Sequence, residues 1–210
     1  MAVFPPNRRV RLILGMGIIL IVLISAVLWF INSRTSYYSH LRARELIQSL
    51  TTTGLSREDE SALLNNVVDG LMELDEIACQ ELLMHLDSSV PAIRFRSVMN
   101  PTLGDACYCI LRAHIFAVPD DYVYYGWGRV GSDGQFYYAP HQTNAESVLF
   151  DETSVRDWLS NRSKRSMKEI RIEALNWLIR QEEEIGFPNE FDRLNYVEPL
   201  QRQIALIQAR

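Results

Sequence analysis

The chain has 210 residues, of which 48% are hydrophobic and 22% charged, and its net charge at pH 7 is −5. This length allows one compact domain of roughly 130–170 residues with attached segments, and the composition excludes a disordered or repetitive chain. Residues 1–31 contain three arginines and no acid, which leaves 18 Lys and Arg against 26 Asp and Glu, a net charge of −8. Because nucleic-acid phosphates require a basic surface, this charge excludes nucleic acid as a partner.

The first element in chain order is an uncharged apolar run over residues 12–31, LILGMGIILIVLISAVLWFI. At about 1.5 Å per residue, its length matches the roughly 30 Å hydrocarbon core of a bilayer. A cleaved signal peptide is the alternative, although its apolar region is usually about 7–15 residues and ends at a small-x-small site. The run therefore predicts a membrane anchor, with the lipid bilayer as its partner.

Charges next to the run predict its orientation. Arg8, Arg9 and Arg11 precede it and favour a cytoplasmic N-terminus, although three arginines also follow it. The expected topology is a single-pass, signal-anchored membrane protein with its C-terminal domain outside the cytoplasm. Its predicted parts are a basic cytoplasmic leader over 1–11, the transmembrane anchor over 12–31, a juxtamembrane stalk over 32–55 and a soluble domain over 56–210. The predicted fold class is mainly α, with the transmembrane helix followed by a compact helical domain.

Two short helices open the predicted domain. Ser56 followed by Asp59 is typical of an N-cap, and an apolar stripe predicts a helix that ends at Gly70. A second helix is predicted over about 73–86, with Glu81 on its solvent side. Helices joined so closely are expected to form an antiparallel hairpin.

The stretch TLGDACYCILRAH contains two cysteines and a histidine. On a helix, Cys107 and His114 fall in one stripe and Cys109 points elsewhere. A zinc site built from Cys79, Cys107 and His114 lacks the usual C-x₂₋₄-C spacing, so no metal is predicted. Packing of free, buried cysteines is the first interpretation. A disulfide between Cys79 and Cys107, in an oxidising compartment, is the alternative.

An aromatic segment follows over residues 118–140, with four glycines and seven aromatic residues. The sequence GSDG between DYVYYGW and QFYY predicts a small β-hairpin or a structured aromatic loop. Aromatic side chains mark protein and carbohydrate contacts because they offer a large rigid area with a polar group. The predicted partner-binding residues are Tyr122, Tyr124, Tyr125, Trp127, Tyr137 and Tyr138. The alternative is that the segment covers the helical core as a lid.

The C-terminal part of the chain predicts three helices. Ser154 caps a short one, and Ser166 with Glu169 forms a capping box for the longest. Gly186 is the expected end of that helix. A last helix is predicted over about 198–209.

The box Gly104-Asp105-x-Cys107-Tyr108, within PTLGDACYCILRAHIF, carries the one resemblance to known proteins. Together with the paired short helices of residues 58–116, it resembles helical segments of uncharacterised bacterial proteins distantly similar to HEAT repeats. The resemblance implies a helical scaffold and carries over no catalytic residue.

Two functions follow from these features. The first is a membrane-anchored helical interaction module that binds a protein or a cell-envelope component. The alternative is an envelope hydrolase acting on glycan or peptide, with Asp120, Asp121 and His141 near the aromatic segment. Because the sequence contains no catalytic or phosphate-binding motif, no catalytic residue and no cofactor are predicted.

Overall fold

The computed structural model describes residues 8–94, 100–119, 121–122, 128–138 and 154–209, and the side chains of 8–22, 26, 31 and 32 lie outside this description. The described chain is mainly helical, with a small two-stranded antiparallel sheet. In chain order the elements are α1 (Arg8–Ser49), α2 (Arg57–Leu74), α3 (Glu76–Met84), α4 (Leu103–Phe116), β1 (Gly128–Val130), β2 (Phe136–Tyr138), α5 (Val155–Ser160), α6 (Met167–Ile185) and α7 (Glu190–Ala209).

The apolar run of residues 12–31 belongs to α1, a helix of 42 residues. Within the part of the chain that the structure describes, no helix combines the length and the apolar composition that a bilayer crossing requires. The predicted transmembrane anchor, the signal-anchor topology and the single-pass localisation outside the cytoplasm are therefore wrong. The prediction considered the run by itself, whereas α1 continues without a break through charged residues such as Arg34, Arg42 and Arg44.

The C-terminal part of α1 belongs to the core. Ala43, Ile47 and Leu50 follow each other at helical spacing on one face, and all three are fully buried. They pack where α1 meets α2 and α3. The sequence predicts a stalk over residues 32–55. In the structure, residues 43–50 of this segment pack into the core of the domain.

The start of α2 follows the prediction and its end does not. The hydroxyl of Ser56 caps the helix by accepting a hydrogen bond of 3.1 Å from the backbone N–H of Asp59. Gly70 does not end the helix. Its missing side chain allows α1 to pack closely against α2, because a Cβ there would lie 2.9 Å from a methyl group of Leu46 in α1. Instead the helix ends at Asp75, whose φ of 48° breaks the helical backbone.

Glu81 in α3 is buried, with 1% of its side chain exposed, so the prediction of a solvent-facing position is wrong. Its Oε1 lies 2.8 Å from Nδ1 of His40, and its Oε2 accepts a bond of 2.9 Å from Nε of Arg44. Burial opposes ionisation of Glu81, but hydrogen bonds from Arg44 and His40 outweigh it, and the pKa of Glu81 is lowered. This carboxylate therefore connects α3 to α1.

The helix predicted over the cysteine stretch is confirmed as α4. Thr102 and Asp105 form a reciprocal capping box, in which the backbone N–H of Thr102 donates to the Asp105 carboxylate at 2.8 Å. The side chains of the predicted stripe are all buried, namely Leu103, Ala106, Cys107, Ile110 and His114. This helix packs between α3 and α6.

Helix α6 begins and ends as predicted. Ser166 and Glu169 form the capping box of α6, and Gly186 ends it with a φ of 71°. The carboxylate of Glu169 accepts the backbone N–H of Ser166 at 2.8 Å, so the α6 N-terminus already has its anionic partner.

The last helix, α7, begins eight residues earlier than predicted. The side chain of Asn189 caps it by accepting the backbone N–H of Asp192 at 2.9 Å. Pro199 lies inside the helix, buried between Val197 and Leu200. Packing against α6 therefore holds this helix together across Pro199, which cannot donate a backbone hydrogen bond.

Candidate functional site

The aromatic segment contains a β-hairpin that displays two different faces. In its register, Arg129 pairs with Tyr137 and Val130 pairs with Phe136. Because side chains alternate across a strand, Arg129 and Tyr137 lie on one face, here called the back face. Val130, Phe136 and Tyr138 lie on the other, here called the front face. The sequence GSDG forms the connecting turn, with Gly134 at a φ of 79°.

The back face is fixed to the C-terminal end of α6 by the guanidinium of Arg129. Its Nη1 donates to the carbonyl of Gly186 at 2.5 Å, and its Nη2 donates to the carbonyl of Glu182 at 2.9 Å. The last carbonyls of a helix have no partner inside the helix, and the helix dipole favours a cation beside them. Arg129 therefore acts as a side-chain cap for α6 while it holds the hairpin in place.

Glu182 neutralises this buried arginine. Its Oε2 lies 2.9 Å from Nε of Arg129, and its Oε1 accepts a bond of 2.5 Å from the hydroxyl of Tyr122. The Arg129 and Glu182 side chains are 5% and 0% exposed, so neither charge has water as an alternative partner. The Arg129 guanidinium also lies over the ring of Phe187, 4.2 Å from its centroid. Buried charges paired this completely hold their elements in one arrangement.

A second polar contact holds the turn of the hairpin. The hydroxyl of Tyr137 donates to the Asp133 carboxylate at 2.7 Å. This hydrogen bond lowers the pKa of Asp133 and raises that of Tyr137. The Tyr137 ring is thereby held along the turn.

The front face is apolar and open to solvent. Val130, Phe136 and Tyr138 are 47%, 57% and 65% exposed. The rings of Phe136 and Tyr138 meet edge to face, with centroids 5.6 Å apart and planes at 88°. A rigid hairpin with a clamped back therefore presents two ordered aromatic rings and a valine at the surface.

The structure describes three of the six residues predicted to bind a partner, and these three differ in exposure. Tyr122 is buried and bonded to Glu182, Tyr137 is half-buried, and Tyr138 is exposed on the front face. Tyr124, Tyr125 and Trp127 lie outside the described residues. Of the described aromatic residues that were predicted, Tyr138 is the one free to meet a partner.

The residues that position this surface are missing from the sequence-based prediction. Arg129 stands between Gly128 and Val130 in a strand of three residues, and nothing local shows which way it points. Glu182 gives a clearer signal, because it continues the buried stripe of Ala174 and Leu178 at spacing of four. An acid on a buried stripe indicates a buried partner of opposite charge.

The cysteine stretch forms core and not a reactive centre. All three cysteines are free thiols, so the alternative disulfide between Cys79 and Cys107 is not formed. The Sγ of Cys79 instead lies 3.7 Å from the Sδ of Met167. Burial raises the pKa of both Cys79 and Cys107 to about 12, which keeps the thiols protonated at neutral pH.

His114 is a structural connector on the same stripe. Its Nε2 lies 2.9 Å from Nη2 of Arg171 and 3.5 Å from Oδ1 of Asp75. The same Arg171 nitrogen lies 2.7 Å from Oδ1 of Asp75. The histidine thereby joins α4 and α6 to the α2–α3 junction.

The acids suggested for a hydrolase are only partly described. Asp121 pairs with Arg202 at 2.7 Å, with 60% and 57% of their side chains exposed. Asp120 and His141 lie outside the described residues. The hydrolase alternative stays a prediction that no observation on these residues favours.

Among the described residues, no group of three or more His, Cys, Asp and Glu side chains is arranged to hold a metal ion. No family model matches the chain, and no curated protein or solved structure is detectably similar to it. The resemblance of residues 58–116 to HEAT-like proteins therefore stays a prediction.

Proposed function

We propose that this protein is a helical scaffold that binds another protein through the front face of its β-hairpin. The observation that carries the proposal is the pairing of the exposed Phe136 and Tyr138 rings on a hairpin whose back is clamped by Arg129 and Glu182. The partner is expected to offer an apolar pocket that receives these rings.

Three properties of the front face support binding. Aromatic residues are enriched among the few positions that contribute most to protein interfaces, because they bury a large area at small entropic cost. The clamp preorganises the rings, so that little conformational freedom is lost on association. Asp133 and the turn residues around it supply a polar rim beside the apolar centre.

The proposal is tested by placing a photo-crosslinking phenylalanine analogue at Tyr138 in living cells. The crosslinked protein is identified and purified, and its affinity for the full chain is measured by calorimetry. We expect Tyr138→Ser and Phe136→Ser each to weaken this binding by tenfold or more, as truncation of a central aromatic residue does.

Tyr38 in α1 provides a matched control. It is 56% exposed and meets Tyr37 edge to face with centroids 5.7 Å apart, so it resembles Tyr138 in chemistry and exposure. Tyr38→Ser is expected to leave the affinity within twofold of the wild type. Equal losses for Tyr38→Ser and Tyr138→Ser would contradict a specific role of the hairpin.

A further inference from the structure

A cavity of about 270 Å³ opens between α3, α5 and the start of α6, on the opposite end of α6 from the hairpin. Its walls are mainly apolar and include Cys79, Leu83, Leu159, Met167 and Ile170. The hairpin clamp at Glu182 is fifteen residues further along α6 than Met167, which corresponds to roughly 22 Å along the helix axis. The cavity is therefore separate from the proposed protein-binding surface.

The rim of the cavity is basic in a chain that is acidic overall. Arg156, Arg162 and Arg165 line it, with Glu76 as the one acid. Residues 155–168 contain five Lys and Arg against one Asp, whereas the whole chain has a net charge of −5. The carboxylates that pair with these arginines, Glu173 and Asp87, are not among the residues that line the cavity, so the guanidinium groups and Glu76 are the charges at its mouth.

The three arginines differ in how many of their hydrogen-bond donors are already used. Arg162 is bidentate to Glu173 at 2.6 and 2.9 Å and stacks on Trp158, so its donors are largely used. Arg165 reaches Glu173 through one nitrogen, and Arg156 reaches Asp87 through one. Both are about half exposed, and such surface pairs are weak. Arg156 and Arg165 can therefore turn donors towards a ligand.

From this arrangement we infer that the cavity binds the carboxylate of a short fatty acid, with its chain against Met167 and its head group between Arg156 and Arg165. A volume of about 270 Å³ is close to the lower end of ligand pockets, which are about 300–1,000 Å³, and suits a small ligand. A carboxylate accepts the forked donors of guanidinium groups, and two arginines with spare donors match its single charge.

The inference is tested on the full chain with sodium octanoate below its micellar concentration. Binding is followed by the ¹³C-methyl resonance of Met167, assigned with Met167→Leu, and by calorimetry. We expect a saturable shift of this resonance with one site. Octan-1-ol is expected to bind at least tenfold more weakly, and octylammonium not to bind, because each lacks the carboxylate.

Arg165→Gln and Arg156→Gln are expected to weaken octanoate binding about tenfold each, the loss of one charge-assisted contact. Lys164→Gln is the matched control, because it removes the same charge from the same segment without lining the cavity. Both kinds of variant lie at exposed positions and are expected to fold.

Three results would overturn the inference. In the first, octanoate fails to shift the Met167 resonance saturably. In the second, Lys164→Gln weakens binding as much as Arg165→Gln, which would indicate non-specific attraction by the positive charges of this segment. A peptide with a free C-terminal carboxylate after leucine could bind through the same arginines more tightly than any fatty acid up to decanoate. That last result would assign the cavity to a protein C-terminus instead.

Discussion

Two buried carboxylates, Glu182 and Glu81, hold different parts of the molecule together in different surroundings. Glu182 is bonded to Arg129 and Tyr122, whose side chains are as buried as its own. Glu81 is bonded to His40 and Arg44, whose side chains are 30% and 59% exposed. Both acids accept hydrogen bonds of 2.5–2.9 Å from the partners named, so these distances alone do not distinguish the two sites.

What distinguishes the two sites is the access of water to the partners. When a bond to Glu81 is lost, His40 and Arg44 can return to water at little cost. When the ion pair between Arg129 and Glu182 is broken, the remaining charge stays away from water, which is the costly case. The comparison indicates that the exposure of the partner, more than that of the acid, determines how much free energy of unfolding is lost when an ion pair is broken.

The largest effect is expected for Arg129→Met. This substitution keeps an apolar stem but removes the cation beside the buried Glu182 carboxylate, so the free energy of unfolding should fall by about 3–5 kcal/mol. Urea denaturation followed by circular dichroism measures the loss. The double variant Arg129→Met, Glu182→Leu should recover much of it, because the buried carboxylate is removed together with the cation. A loss below about 1 kcal/mol for the single variant would show that water hydrates the Glu182 carboxylate when Arg129 is absent.

A smaller effect is expected for Glu81→Gln. It removes two charge-assisted hydrogen bonds, but the freed partners are hydrated, so the loss should be about 1–2 kcal/mol. The same urea titration measures it, with Glu73→Gln as a control on an exposed pair with Arg42. A loss as large as that of Arg129→Met would contradict the role given to partner exposure.

The pH dependence of stability should follow from the lowered pKa of Glu81. A carboxyl group whose pKa is lower in the folded than in the unfolded protein stabilises the fold above its unfolded value, about 4.3, and loses this contribution as the pH falls through the folded value. The advantage of the wild type over Glu81→Gln should therefore shrink below about pH 4. Paired urea titrations from pH 7 to pH 3 measure this difference. A difference that grows on acidification would contradict the sign.

The smallest effect on stability is expected at the front face of the hairpin. Tyr138→Ser removes an exposed ring and one edge-to-face contact, so the free energy of unfolding should change by about 1 kcal/mol or less. Thermal unfolding of Tyr138→Ser and Tyr38→Ser side by side measures this. A loss above about 2 kcal/mol would show that the ring supports the fold and is not a surface for a partner.

Much of the local structure could be predicted from the sequence because its causes are local. The caps at Ser56, Thr102 and Ser166 depend on residues three positions apart, and the stripe of α4 depends on helical periodicity. The hairpin turn likewise follows from GSDG between aromatic segments.

The errors arose where the answer depended on distant residues. Gly70 was predicted as a helix end, whereas in the structure the side chain of Leu46 in α1 occupies the space that a side chain at this position would need. Glu81 was predicted on the solvent side of its helix because its partners in the structure, His40 and Arg44, lie about forty residues earlier along the chain. The apolar run of 12–31 was interpreted as a self-contained anchor, whereas it is part of one long helix that continues into the core.

The sequence by itself determined where most of the helices lie, the caps at Ser56, Thr102 and Ser166 and the place of the hairpin, since hydrogen bonds and periodicity over a few residues specify them. Only the tertiary structure decided which face of the hairpin is clamped and which is free, because the answer depends on Glu182, 53 residues from Arg129 along the chain. It also decided that α3, α5 and α6 leave a cavity with arginines at its rim. Contacts between distant segments carry the energy that selects these arrangements, and no short stretch of sequence contains them.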